Sequence, residues 1–248
     1  MSTDVPAKAD ENELGVKLGI SYVSRYMYLG IDAYPENHSA IQHNIDIDLY
    51  GTGFGVDVWW LRANRSGFEN LEEIDYILYY YNSLFEGEWY ATDYTLSWEH
   101  DNYPDEPRRA GDMQEVNAAF SWPNICPAGV VPSYTAVATW PALSKSDIRD
   151  SSGWIHVFGL GYDLAVSDIL PVTTEQMLYL STDIVYYDGA YGTAVDHDWS
   201  HAVFGISTEF ELSSNLTFTP GLYYQSSWED SVNTGDEIWT FIGMTYKF

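Results

Sequence analysis

The residues best suited to chemistry in this sequence are carboxylates set two positions apart. Asp46 and Asp48 stand in NIDIDL and Glu209 and Glu211 in TEFEL, while Asp57, Asp93, Glu99, Glu115 and Asp183 fall in similar alternating contexts. Residues two apart share one face of a β-strand, so these acids belong to common surfaces. Gln42 and Asn44 extend the polar set, and Lys17 and Lys247 are among its few basic members. Such a surface attracts cations. A second constellation is AVDHDWSH, where Asp196, His197, Asp198 and His201 offer oxygen and imidazole ligands of the kind a divalent ion takes. It lacks the glycine punctuation of a calcium loop and reads more simply as a polar extracellular loop. Acidic runs such as NLEEID and DNYPDE fit either solvated loops or bridging through divalent ions to lipopolysaccharide phosphates.

Catalytic groupings are weak. His38 and Ser39 adjoin in ENHSA without an orienting partner or the Asn-Gly context of outer-membrane lipases. His156 sits between Trp154 and Phe158 on an apolar face, and His100 follows Trp98 at a strand end. GTGFG has no helix after it to cradle a phosphate. The expectation is a protein with no enzyme activity and no cofactor.

The elements that must position these side chains repeat one pattern. In GVKLGISY, Val16, Leu18, Ile20 and Tyr22 alternate with Lys17, Gly19 and Ser21. In AIQHNIDIDLY the isoleucines oppose Gln42, Asn44, Asp46 and Asp48, and in FGVDVWW Phe54, Val56, Val58 and Trp60 oppose Gly55 and Asp57. The same period of two runs through IDYILYYY, YATDYTLSWE, EVNAAFSW, SYTAVATW, GWIHVFGLGYDL, MLYLSTDIVYY, HAVFGISTEFEL, LTFTPGLYYQ and IWTFIGMTYKF. This predicts about twelve strands of roughly ten residues, the length of a tilted transmembrane β-strand.

Composition agrees. Aromatic residues make up 17% of the 248 residues, and 37 acidic against 10 basic residues give a net charge of -27, which repels nucleic acid and excludes it as a partner. The same acidity suits either a cation-attracting function or a saline habitat. The single cysteine, Cys126, rules out an intrachain disulfide. No apolar run is long enough for a transmembrane helix. The polar segment 1–12 has no signal-peptide pattern, so the expectation is a numbering that begins after a leader was removed, with the barrel over 13–248.

Connections alternate in length. GTG at 51–53 and SSN at 213–215 are tight, whereas DAYPENHS, NRSGFENLEE, DNYPDEPRRAGD, SKSDIRDSSG, DGAYGTAVDHDWS and SWEDSVNTGDE are long and polar. Three intervening connections, NSLFEGEW, PNICPAGVVPS and AVSDILPVTTEQ, are longer than periplasmic turns usually are. Short periplasmic turns and long outer loops characterise outer-membrane barrels, and an even strand count puts both termini in the periplasm. Tyr22, Tyr50, Trp60, Tyr90, Trp98, Trp122, Trp140, Trp154 and Tyr246 cluster at strand ends, where membrane interfaces lie. The last strand closes on Phe248, with Tyr246, Met244 and Ile242 before it; this resembles the terminal signal that outer-membrane barrels present to the barrel assembly machinery. Pairing that strand with the first one removes the exposed edge. A soluble β-sandwich or lipocalin-like barrel would instead turn the apolar face inward.

Residues 22–64 also resemble the start of the TorF family of porin-like outer-membrane proteins. Tyr22, Tyr28, Gly30, Ile31, Gly53, Phe54 and Trp59 fill the family's places, and Leu29 stands where the family has arginine. The resemblance implies a porin-like barrel and brings no catalytic residues. The expectation is an all-β, closed antiparallel transmembrane barrel in the bacterial outer membrane. Its partners would be lipid, lipopolysaccharide, the assembly machinery and small solutes, with Lys17, Asp46, Asp48, Asp57, Asp93, Glu99, Glu115, Asp183, Glu209 and Glu211 lining the pore. Two other functions fit the same sequence: a plugged structural or adhesive barrel that binds partners or divalent ions through acidic loops, and a soluble ligand-binding barrel.

Overall fold

The computed structural model describes residues 13–36, 38–168 and 176–248. The polar segment 1–12 and most of AVSDILPVTTEQ lie outside the described residues. The wall begins with β1 (Gly15–Val23), followed by two very short strands, β2 (Met27–Tyr28) and β3 (Ile31–Asp32). It continues through β4 (Ala40–Asp48), β5 (Phe54–Ala63), β6 (Glu73–Leu84), β7 (Thr92–Asn102) and β8 (Met113–Ser121). Then come β9 (Val130–Pro141), β10 (Gly153–Ala165), β11 (Met177–Asp188), β12 (Asp196–Ser207), β13 (Phe210–Ser213), β14 (Leu216–Ser227) and β15 (Glu237–Lys247).

Every wall strand pairs antiparallel with its neighbours, and β15 pairs with β1 from Lys17↔Lys247 to Val23↔Phe241. The Phe248 amide continues that seam onto the Val16 carbonyl at 3.0 Å. β12 and β13 occupy one place in the wall, since both pair with β14, so the molecule is a closed twelve-stranded barrel. HAVFGISTEFEL was expected as one strand and is broken at Thr208 and Glu209. The Gln176 amide bridges the break, donating to the Thr208 hydroxyl and, at 2.8 Å, to the Glu209 carbonyl. Facing survives the break, because Phe210 pairs with Phe218 on the same face of β14 as Leu222 and Tyr224, the partners of Ile206 and Phe204.

Side chains alternate as the period of two requires. Leu18, Ile20, Ile45, Leu78, Leu96, Leu160, Leu222 and Ile242 point outward and are exposed, whereas Ser21, Gln42, Asp48, Glu99, Glu115, Thr135 and Gln225 are buried in the interior. An apolar belt covering the whole outer wall is stable against lipid, not water. Aromatic rings crowd its margins: Trp60, Trp98, Trp154, Trp199 and Trp228 towards one end, Tyr50, Phe85, Trp89, Tyr90 and Tyr246 towards the other. The second margin lies at the end where β1 starts and β15 finishes, the terminal end below. The opposite, loop end carries connections 24–39, 64–72, 103–112, 142–152, 189–195 and 228–236.

Candidate functional site in the barrel lumen

Towards the terminal end the lumen wall is acidic and fully hydrogen-bonded. Register places Asp46 between Lys17 and Asp57 on neighbouring strands. Lys17 Nζ meets Asp46 Oδ2 at 3.2 Å, and the Tyr79 hydroxyl donates to Asp46 Oδ1 at 2.6 Å. Tyr81 donates to Asp48 Oδ2 at 2.6 Å, and the Gly51 amide to Asp48 Oδ1 at 2.7 Å. Asn44 Nδ2 reaches both oxygens of Asp57, at 3.4 and 3.3 Å. Lys17 thus pairs with one of three carboxylates, and Asp48 and Asp57 are held by neutral donors, which leaves a net negative patch on β4 and β5.

The first connection was expected as an ordinary long outer loop, and it folds into the barrel. β2 and β3 form a hairpin whose two turn residues, Leu29 and Gly30, both take positive φ (46° and 97°), the backbone twist that suits a two-residue hairpin turn. Its tip touches the far wall. Tyr187 on β11 donates to the Leu29 carbonyl at 2.7 Å, and Gln225 on β14 to the Gly30 carbonyl at 2.9 Å. A Cβ on Gly30 would lie 2.2 Å from the buried ring of His201 on β12. Leu29 and Ile31 pack on a buried cluster that includes Val137, Ile155, Val185, Tyr187 and Val232. At the hairpin's base Tyr34, 1% exposed, packs with Val23, Ala40, Leu61 and Ala63. Arg25 is ion-paired with Asp32 at 3.9 Å and with Glu237. Apolar contact at both ends and hydrogen bonds at the tip fix the hairpin across the bore.

A second acidic group lies on β6, β7 and β8, facing the hairpin. Tyr28 donates to Glu115 Oε2 at 2.9 Å, and Tyr191, from the 189–195 connection, donates to Glu115 Oε1. Asn117 Nδ2 reaches Glu99 Oε2 at 3.5 Å. Tyr103 donates to Glu73 Oε1 at 2.5 Å; burial, and then the Glu73 charge, hold its hydroxyl well above the ordinary phenol range, so it remains a donor. Asp75 and Asp101 are cross-strand partners in this group. At the mouth above, a cavity of about 320 Å³ between the first and last connections is lined by Arg25, Asp32, Glu36, Asp230, Asn233 and Glu237, among others.

The residues expected to line a pore are distributed unevenly. Lys17, Asp46, Asp48 and Asp57 form the terminal-end patch, and Glu99 and Glu115 belong to the group facing the hairpin. Asp93 accepts from Ser83 at 2.5 Å near the terminal end, and Asp183 lies beside Gly159 on the inner face of β11. Glu209 and Glu211 are exposed at the terminal rim beside the break in the wall. Asp196, His197, Asp198 and His201 do not converge. His201 is buried inside the wall and bonds with the Ser200 hydroxyl at 2.8 Å, while His197 is exposed and meets Asp188 at 2.9 Å and Asp196 at 3.6 Å. The His38 ring packs on Phe68 at 5.0 Å and Ser39 accepts from Asn64 at 3.2 Å, so neither addresses the other. His156 stacks on Trp154 on the outer face, as its neighbours in sequence suggest.

Sequence reasoning missed Glu73, Asp75 and Asp101 as lumen acids, and Tyr26, Tyr28, Leu29, Ile31 and Tyr34 as an internal strap. The signal was present in the latter: a solvated loop has no need of five apolar or aromatic side chains within nine residues of sequence.

No family model matches the chain, and no curated protein does. Solved structures do. The NanC porin superposes with TM-score 0.56 at 10% identity over 95% of this chain and all of its own. An outer-membrane channel from Pseudomonas putida F1 gives 0.54 at 7% identity, covering 97% of each chain. The KdgM porin, solved in complex with disordered oligogalacturonate, gives 0.51 at 8% identity over 94% of this chain and 99% of its own. The shared property is the fold, that of outer-membrane porins and channels.

Proposed function

We propose that this chain is a porin-like channel of the bacterial outer membrane that passes small solutes and prefers cations. Its terminal end would face the periplasm, and its long connections the exterior. The observation that carries the preference is the lumen wall itself: among the described residues Lys17 pairs with Asp46, while Asp48, Asp57, Glu99 and Glu115 are in no ion pair. At 4 Å a single such charge is worth roughly 1 kcal/mol in water and about 4 kcal/mol in a medium of intermediate dielectric. A polyanion such as the oligogalacturonate of the KdgM complex would be repelled by this wall. The similarity of residues 22–64 to the TorF family supports the porin reading. The motif at Ile242, Met244, Tyr246 and Phe248, exposed on the outer face beside β1, supports recognition by the barrel assembly machinery.

A second reading has its own observation. The hairpin is held by two buried apolar clusters, the way a plug is held, which favours a closed structural barrel. One experiment separates them. Single-channel current is recorded in a planar bilayer under a salt gradient for the native chain and for a variant with residues 26–34 replaced by a short Gly-Ser linker. The channel reading expects cation-selective steps from the native chain, larger ones from the variant, and a cation-to-anion permeability ratio at least about threefold lower in Asp46→Asn/Asp57→Asn. A silent native chain beside a conducting variant would establish the plug.

A further inference from the structure

Glu73, Asp75 and Asp101 each bring a carboxylate oxygen to within 4.8 Å of the other two. Acid clusters are common on barrel walls, but two features set this one apart. Asp75 and Asp101 are only 7% and 5% exposed, and Oδ1 of each has no hydrogen-bond partner. Among the described residues no ion pair reaches any of the three: Arg62, which projects from the adjoining strand, pairs with Glu72 at 3.2 Å instead. Adjacent buried carboxylates without a counter-charge are expensive, so protons or a bound cation must neutralise them.

The spacing fits a cation. Oxygens separated by up to 4.8 Å can sit on opposite sides of an ion that holds its ligands at about 2.3–2.6 Å. An all-oxygen donor set selects a hard cation over a thiolate- or imidazole-seeking transition metal. Tyr103 donates to Glu73 Oε1 and so holds that carboxylate in place. We propose that Glu73, Asp75 and Asp101 form a buried binding site for a hard divalent cation of the calcium type, clamping β6 to β7 on the wall that faces the hairpin. The proposal does not depend on conduction.

The test uses the whole chain refolded in detergent, with terbium as the probe and its luminescence excited through neighbouring tyrosines. The exposed group Asp188, Asp196 and His197 could also take the ion, so every measurement is made in an Asp196→Asn/His197→Ala background. The expected result is saturable one-site luminescence, reversed by calcium and not by potassium, and weakened at least about tenfold in Asp75→Asn/Asp101→Asn. Unchanged binding in that variant, or no saturable binding in the background protein, overturns the site. Should the double variant fail to fold, as judged by loss of its unboiled gel band, Glu73→Gln takes its place, and unchanged affinity there overturns the site equally. Because no current is read, failure here and failure of the channel reading are separate results.

Discussion

Gly55 lacks a side chain because Tyr79 lies across it: a Cβ there would fall 2.0 Å from the ring. That placement lets the Tyr79 hydroxyl reach Asp46, which in turn holds Lys17. A glycine on the inner face of β5 thus underwrites a network that runs from Lys17 on β1 through Asp46 on β4 to Tyr79 on β6. Gly55→Val should displace the ring and cost about 1–3 kcal/mol, read as a lower denaturant midpoint for the detergent-folded barrel. Tyr81→Phe removes a buried hydroxyl from Asp48 and should cost about 1–3 kcal/mol in the same assay, because the carboxylate oxygen loses its donor. Equal midpoints for Tyr81→Phe and the native chain would mean that water replaces the phenol without loss.

At the scale of elements, the decisive one is the β2–β3 hairpin. It is too short to be stable alone, and its position comes from the wall: Tyr187 and Gln225 at the tip, and two apolar clusters at the sides. Gly30 is the tightest point of that contact, with both a positive φ and no room for a Cβ beside His201. Gly30→Val should therefore unseat the tip while leaving the closed wall intact. The expected signature is increased or noisier conductance with unchanged heat-modifiable gel mobility. Native-like current from Gly30→Val would place the conducting path away from the hairpin.

For the molecule as a whole, pairing of β15 with β1 joins the first and last strands of the wall and closes the barrel. The unboiled protein in detergent should accordingly migrate differently from the boiled one, and identical mobility would argue against the closed barrel. Selectivity should also follow pH. Ionised carboxylates favour cations, so protonating them by lowering pH should reduce the cation preference, and raising pH should restore it. A preference that stays constant from neutral pH down through the carboxylate range would assign it to something other than the acidic wall.

The sequence by itself determined the wall. A period of two is a local property, so the strands, their outward and inward faces, the aromatic margins and the match between first and last strands were all legible before any contact was known. Asp46, Asp48, Asp57, Glu99 and Glu115 fell on the inner face for that reason. Only the tertiary structure decided what fills the bore. The apolar and aromatic side chains of residues 26–34 signal burial, but where they dock depends on contacts with β8, β11, β12 and β14, far along the chain, which no local pattern encodes. The gathering of Glu73, Asp75 and Asp101 is likewise set by the register between β6 and β7, a pairing that spacing along one strand cannot reveal.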